Sequence, residues 1–526
     1  MKRPRCRWGG AGLALRLVTA SAIPLFAALV PASAHDSLPE SLPPPYRGPG
    51  HRGASIAPDS EGRVLGMNSE SVALAAWLPL GLFDGANTAG SDIWGYVAPS
   101  GREYAILGMN HGAAFVEVTT PTEPVIVAVI PSIGTIWKEI TTHGAFAYVV
   151  SDQIGEGMQV IDLTRIDEGQ VSLAQTVTTD GLRTVHTIRT NEAGDHIYLC
   201  GANVGSRGLV PYDVSDPAHP VPGPSAWSPE YAPGRTIYVH DVVVRTYTSG
   251  PVAGREIAFC CCGPQGLYIV DVTDKRALRT LGSLTYENLE YCHYGWLSDD
   301  GLTFYLGDEL DESRGRVSSS TTYVVDVADL SAPRLLGSFT NGNSAIDHNL
   351  VGAGRHLLQA NYRSGLRIFD VERGGDRTDV AEIGWFDTYP DDDLPNFAGL
   401  WGVHWLPSGT IIASDMQRGL FVFDASAVLG VGGEGPRFVT GFEAPYPNPI
   451  RSGATLTFVM QTEGPVRLSL FDSGGRRRET LFDGSAARGY HRVAFEPGKL
   501  DLPAGVYFAR FEAPGRDESR RMVVIR

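Results

Sequence analysis

The chain has 526 residues, 43% of them hydrophobic, and a formal charge of −16. That length suits two or three domains of ~100–200 residues, and that apolar fraction excludes global disorder. The acidity disfavours a polyanionic partner such as nucleic acid, which long-range repulsion would keep away.

Residues 1–34 read as a signal peptide. Lys2, Arg3, Arg5 and Arg7 precede an apolar run from about Ala11 to Val30, and Ala32-Ser33-Ala34 supplies a cleavage site. Losing the five basic residues of this segment takes the charge from −16 to −21. No later apolar stretch approaches the ~20 residues that cross a bilayer, so no transmembrane segment is expected. Cys6 leaves with the signal; Cys200, Cys260, Cys261, Cys262 and Cys292 remain. Their odd number and the lack of a C-x-x-C pair fit buried apolar residues, although an oxidising compartment allows a bridge or two. Residues 35–70 read as an N-terminal linker.

From 71 to 428 one phrase recurs: a β-rich run ending in an acidic residue. It ends at Glu117, Asp162, Asp213, Asp271, Asp326, Asp370 and Asp424, seven copies in all. The irregular spacing of 44–58 residues is close to that of propeller blades. Within a copy, a short opening strand and a second strand lead through a glycine (Gly208, Gly266, Gly365, Gly419) to the Asp-bearing third strand. A fourth run follows, such as Arg334-Leu335-Leu336-Gly337. Four antiparallel strands repeated radially make a seven-bladed β-propeller. The seventh copy stops after Asp424, while residues 71–78 read as an orphan fourth strand, so they are expected to close the ring. Residues 429–441 form a Gly-rich linker. Its G-x-G-x-x-G pattern, Gly430 to Gly435, opens no βαβ unit and is not a nucleotide site. Alternating strands around a Gly474-Gly475 turn make 442–526 a small Ig-like β-sandwich. The fold class is all-β.

Aligning the copies places a histidine in the opening strand of five: His186, His240, His293, His348 and His404. Trp94 and Trp137 stand nearby in the first two. Five imidazoles at one height would ring the channel and hold a transition metal, with Asp241 and Asp347 orienting them. The alternative is structural: a repeated histidine that hydrogen-bonds to the next blade and locks the ring. A second candidate is the acidic run Asp308-Glu309-Leu310-Asp311-Glu312, whose carboxylates suit Ca²⁺. Asp391-Asp392-Asp393 reads as a solvated loop. No G-x-S-x-G elbow is present, and no residue is assigned as catalytic.

Several stretches together resemble the choice-of-anchor B family of LVIVD-repeat propellers. They are Asp92-Ile93-Trp94-Gly95-Tyr96, Tyr238-Val239-His240-Asp241, His293-Tyr294-Gly295-Trp296-Leu297, Asp308-Glu309-Leu310-Asp311-Glu312, Asp347-His348-Asn349 and Gly365-Leu366-Arg367. The resemblance spans roughly 70–425 and implies a secreted or surface propeller of undefined activity. Residues 442–526, with Pro447-Asn448-Pro449 and Gly505-Val506-Tyr507, resemble a FlgD-type Ig-like module or a type IX secretion sorting domain. That implies export through dedicated machinery, to the medium or outer surface of a Gram-negative-type bacterium. The leading expectation is a non-enzymatic binding or adhesion propeller with a protein or glycan surface ligand. The alternative is a metal-dependent enzyme, hydrolase- or lactonase-like, with a His-ringed site in the channel.

Overall fold

The computed structural model describes residues 42–525 apart from 153–154, 192–193, 249, 372–376, 430–440, 443–448, 452, 461–463 and 487–488. The signal peptide and nearly all of the Gly-rich linker lie outside the described residues.

The sequence phrase translates strand by strand. The seven acidic termini close, or lie in, the strands Gly112–Glu117, Met158–Arg165, Leu209–Asp213, Leu267–Asp271, Thr321–Asp326, Leu366–Asp370 and Gly419–Asp424. The recurrent aspartate is a turn device. Asp271 Oδ1 accepts from the Thr273 N–H at 3.1 Å, Asp326 Oδ1 from Ala328 at 3.1 Å, and Asp213 Oδ1 from Ser215 at 2.8 Å. Each is an Asx turn that reverses the chain towards the fourth strand. The glycine before the third strand has an equally local cause. Gly365 sits at φ +73°, and a Cβ there would lie 2.2 Å from the Phe386 carbonyl oxygen. Gly266 repeats this at φ +83° against Leu284 O.

Among the described residues seven antiparallel sheets follow one another, each built around four strands. Their innermost strands are Gly90–Val97, Lys138–His143, Thr187–Thr190, Asp241–Thr246, Cys292–Leu297, Asn349–Ala353 and Leu400–Trp405. Each lies against the next, and the last returns to the first. The seventh sheet takes its outer strand from the beginning of the chain: Ala73–Leu78 pairs antiparallel with Gly419–Asp424, from Ala73 opposite Asp424 to Leu78 opposite Leu420. Apolar side chains fill the gaps between sheets. Phe259 of the fourth stacks on Phe304 of the fifth at 5.4 Å, and Phe386 of the sixth meets Phe423 of the seventh at 4.8 Å.

The segment expected as a linker is more ordered than that. Arg63–Val64 and Met67–Glu70 form a hairpin that extends the sixth sheet, with Ser69 opposite Phe386. His51 and Ile56 bridge to Trp77 and Leu74 of the closing strand. These contacts cap two outer edges that would otherwise present unpaired backbone.

After residue 440 two further sheets form. One orders Gly441–Phe442, Ala454–Met460 and Gly489–Phe495; the other orders Arg477–Ala486, Gly464–Asp472, Gly505–Ala513 and Arg516–Val524. Leu456, Phe458, Leu468, Leu470, Phe511 and Met522 form their shared core. Gly475, at φ +76°, turns the hairpin between Gly464–Asp472 and Arg477–Ala486. Among the described residues no helix is long and apolar enough to cross a membrane.

Candidate functional site: a row of imidazoles beside a cluster of carboxylates

Four of the five predicted histidines come together. Neighbouring ring centroids lie 4.3 Å apart for His186–His240, 4.1 Å for His240–His293 and 4.5 Å for His293–His348. All four are at most 4% exposed. They sit where the inner strands of the third to sixth sheets begin, so blade succession alone produces the row. The seventh sheet does not continue it with His404. A bulge between Leu400 and Gly402 turns Trp401 into that position, where its ring lies 5.1 Å from His348. His404 instead packs on Trp94 of the first sheet at 4.9 Å. The expected five-histidine ring is therefore an arc of four ended by a tryptophan.

Hydrogen bonds run along the arc. A carbonyl only accepts, so His240 Nδ1–H donates to His293 O at 2.9 Å. His186 Nε2 and His240 Nε2 share a hydrogen bond of 2.7 Å, and His186 Nδ1 lies 2.8 Å from Asp152 Oδ2.

His348 Nδ1–H donates to the Trp401 carbonyl at 2.5 Å, which turns the Nε2 lone pair inward. Burial lowers the His348 pKa to about 3 and keeps the ring neutral. Facing it is Glu309, wholly buried. Glu309 Oε1 lies 3.6 Å from His348 Nε2, and Oε2 lies 3.6 Å from His293 Nε2. Burial pushes the Glu309 carboxyl up to about 8, against the Tyr362 hydroxyl that donates to Oε1 at 2.9 Å. Tyr362 holds φ +38°, an uncommon backbone state for a bulky residue. Neighbouring ligand atoms of a tetrahedral zinc with ~2.0–2.1 Å bonds lie about 3.4 Å apart. His293, Glu309 and His348 thus match the spacing and donor chemistry of a three-ligand transition-metal set.

A second set lies on the other side of the same turn. Asp311, Glu312 and Asp347 each bring a carboxylate oxygen within 4.8 Å of the others. Asp311 Oδ2 accepts from the Tyr323 hydroxyl at 2.8 Å, and Glu312 Oε1 from the Thr321 N–H at 3.0 Å. Among the described residues Asp311 Oδ1, Glu312 Oε2 and both Asp347 oxygens meet no donor from elsewhere in the fold, while the Asp311 and Glu312 carboxyls are close enough to share a proton. Burial raises all three carboxyls, Asp311 to about 7.

These positions redistribute the predicted residues. Asp347 serves the carboxylate set and does not orient an imidazole. Glu309 leaves the acidic run and joins the histidines. Asp308 is consumed by the fold, because its carboxylate accepts from Tyr286 Oη, Glu290 N, Tyr291 N and Leu310 N. Asp241 belongs to an ion pair: Arg189 reaches it at 2.8 Å and Glu139 at 2.9 Å. The same guanidinium lies 5.8 Å from the Trp94 ring and 5.3 Å from Tyr294. Contacts from the first, second, fourth and fifth sheets put this charge from the third on the axis of the ring. Asp392 pairs with Arg363, in keeping with a surface loop.

Arg189, Glu139, Asp152 and Tyr362 carry the centre of the ring and do not stand out in the sequence, whereas Trp401 is one of the aromatics, with Trp94, Trp296 and Trp405, that could line a groove or pack between blades. Arg189 left one signal, a lone charge in the strand Thr187-Ile188-Arg189-Thr190. Tyr362 left none. The five described cysteines are buried and free, and burial raises the Cys260 thiol, in keeping with small apolar packing residues.

No family model matches the chain, and no curated protein matches it. Similar solved structures include a provisionally named 6-phosphogluconolactonase from Bacteroides fragilis, 11% identical, with a TM-score of 0.42 over 78% of this chain and 99% of that one. A protein from Lactobacillus plantarum is 14% identical, with a TM-score of 0.42 over 73% and 96%. The WD40 β-propeller domain of Doa1 is 10% identical, with a TM-score of 0.41 over 67% and 96%. Such identities speak to the fold alone, and nothing about the site is taken from them.

Proposed function

We propose that this chain is an exported binding propeller of the choice-of-anchor B type, spanning 71–428, whose C-terminal sandwich serves export or attachment at the outside of a Gram-negative-type cell. The observation that carries the binding reading is the filling of the axis. Arg189 is 6% exposed and the four imidazoles no more than 4%, so the centre is packed and recognition falls to the faces and rim of the ring. Closed metal sites are characteristically structural, whereas catalytic ones keep an open position. In this reading a metal at His293, Glu309 and His348 holds the ring together while a protein or glycan binds outside it.

One observation favours a second reading, a metal-dependent hydrolase: the same three ligands converge beside the hydrogen-bonded row Asp152–His186–His240. Turnover separates the two. The purified full chain, loaded with Zn²⁺, is assayed on lactones, esters and phosphoesters beside His348→Ala. The expected result is no turnover above the variant. Turnover that disappears in His348→Ala would replace the binding reading with the hydrolase.

A further inference from the structure

Three carboxylates brought together without a positive partner are costly. An isolated ionised carboxylate loses far more solvation on burial than an unpaired neutral group does, so it is paired, protonated or bound to metal. Asp311 is 0% exposed, Asp347 1% and Glu312 5%. Among the described residues none of the three forms an ion pair with Lys or Arg, and four of their six oxygens meet no donor from elsewhere in the fold. A proton shared between Asp311 and Glu312 would serve that pair and leave Asp347 with only its own backbone N–H.

The trio is assembled across a sheet boundary. Asp311 and Glu312 follow the strand Thr303–Asp308 of the fifth sheet, and Asp347 precedes Asn349–Ala353 of the sixth. Asp347 enters through a gap that only glycine leaves: a Cβ on Gly307 would lie 2.4 Å from Asp347 Oδ2. Two oxygens bound to one calcium at about 2.4 Å lie no more than about 4.8 Å apart, the limit this set meets.

We infer that Asp311 Oδ1, Glu312 Oε2 and the two Asp347 oxygens bind a hard divalent cation of the Ca²⁺ class, which clamps the fifth sheet to the sixth. The donors are all oxygen, so a soft or imidazole-seeking metal is not selected. The site differs in ligands and donor type from the histidine set, and it stands whether or not that set holds a metal. Adjacent residues of one chain, Asp347 and His348, serve the two sets.

The experiment uses the full chain stripped with a chelator, with folding checked by circular dichroism. Tb³⁺, a Ca²⁺ mimic, is titrated while its luminescence is excited through tyrosine, since the Tyr323 hydroxyl lies 2.8 Å from Asp311 Oδ2. Expected are one sensitised Tb³⁺ per chain, displacement by Ca²⁺, and a higher Tm with Ca²⁺. Asp347→Asn should weaken binding on the order of a hundredfold. Gly307→Ala, which keeps every carboxylate, should weaken it too, while Glu309→Gln should leave it unchanged. A folded wild type that binds no Tb³⁺, or an Asp347→Asn variant that binds as tightly, overturns the inference by leaving protonation alone to settle the trio. Loss of binding in Glu309→Gln overturns it by moving the ion to the histidines.

Discussion

Arg189 carries its charge into the centre of the ring, between Glu139 at 2.9 Å and Asp241 at 2.8 Å, with the Trp94 and Tyr294 rings beside it. Removing one partner of a buried pair leaves the other uncompensated. Arg189→Met should therefore destabilise the protein by about 3–5 kcal/mol, read by urea unfolding. Adding Glu139→Gln and Asp241→Asn should recover much of the loss, because no orphan charge then remains. A triple variant no better than the single one would show that the guanidinium acts through packing. The histidine set makes a separate prediction. Protein dialysed against Zn²⁺ should retain it stoichiometrically, and His348→Ala or Glu309→Gln should lose most of it, by elemental mass spectrometry on untagged material. Retention in both variants would place the metal elsewhere.

At the scale of the element, most blades carry two devices, a glycine at or just before the start of the third strand and an aspartate at or near its end. Gly365→Ala meets both a positive φ of +73° and the Phe386 carbonyl at 2.2 Å. It should cost roughly 1–3 kcal/mol or more, from backbone strain plus the clash. Gly81, with ordinary φ and nothing within 4 Å, is the control, and Gly81→Ala should change the unfolding midpoint little. The aspartate was legible in the sequence because its Asx turn spans a few residues, and the glycine because its positive φ belongs to the residue itself. Bulges were not. The one between Leu400 and Gly402 decides that Trp401, and not His404, stands beside His348. A bulge shifts which side chain faces the axis, and it is set by how the strand meets its neighbours.

For the whole molecule, closure by Ala73–Leu78 is the decisive contact. Removing residues 42–78 should bare the edge of Gly419–Asp424 and turn a monodisperse protein into higher assemblies, measured by light scattering after gel filtration. A truncated chain that stays monomeric would show that the ring tolerates an open seam. Stability should also depend on pH through the axis. Burial lifts Asp92 and Asp241 to about 6, against the pull of Arg189. A carboxyl whose folded pKa exceeds its unfolded value of about 3.9 binds more protons when folded, so its contribution falls as pH rises from about 4 through 6. Asp92→Asn should flatten that fall in denaturation midpoints measured between pH 4 and 7, while its side-chain oxygen still accepts from the Ile140 N–H that now donates to Asp92.

The sequence by itself determined the strand repeat, the turn residues, the closing role of residues 71–78 and the sandwich at the end, since alternation, glycine and Asx turns are short-range. It also marked five histidines and the acidic run as unusual. Only the tertiary structure decided how they divide. Asp347 and His348 are neighbours in the chain, yet one faces Asp311 and Glu312 and the other faces Glu309. That division depends on the packing of the fifth sheet against the sixth, a contact between segments some 40 residues apart that no local pattern encodes.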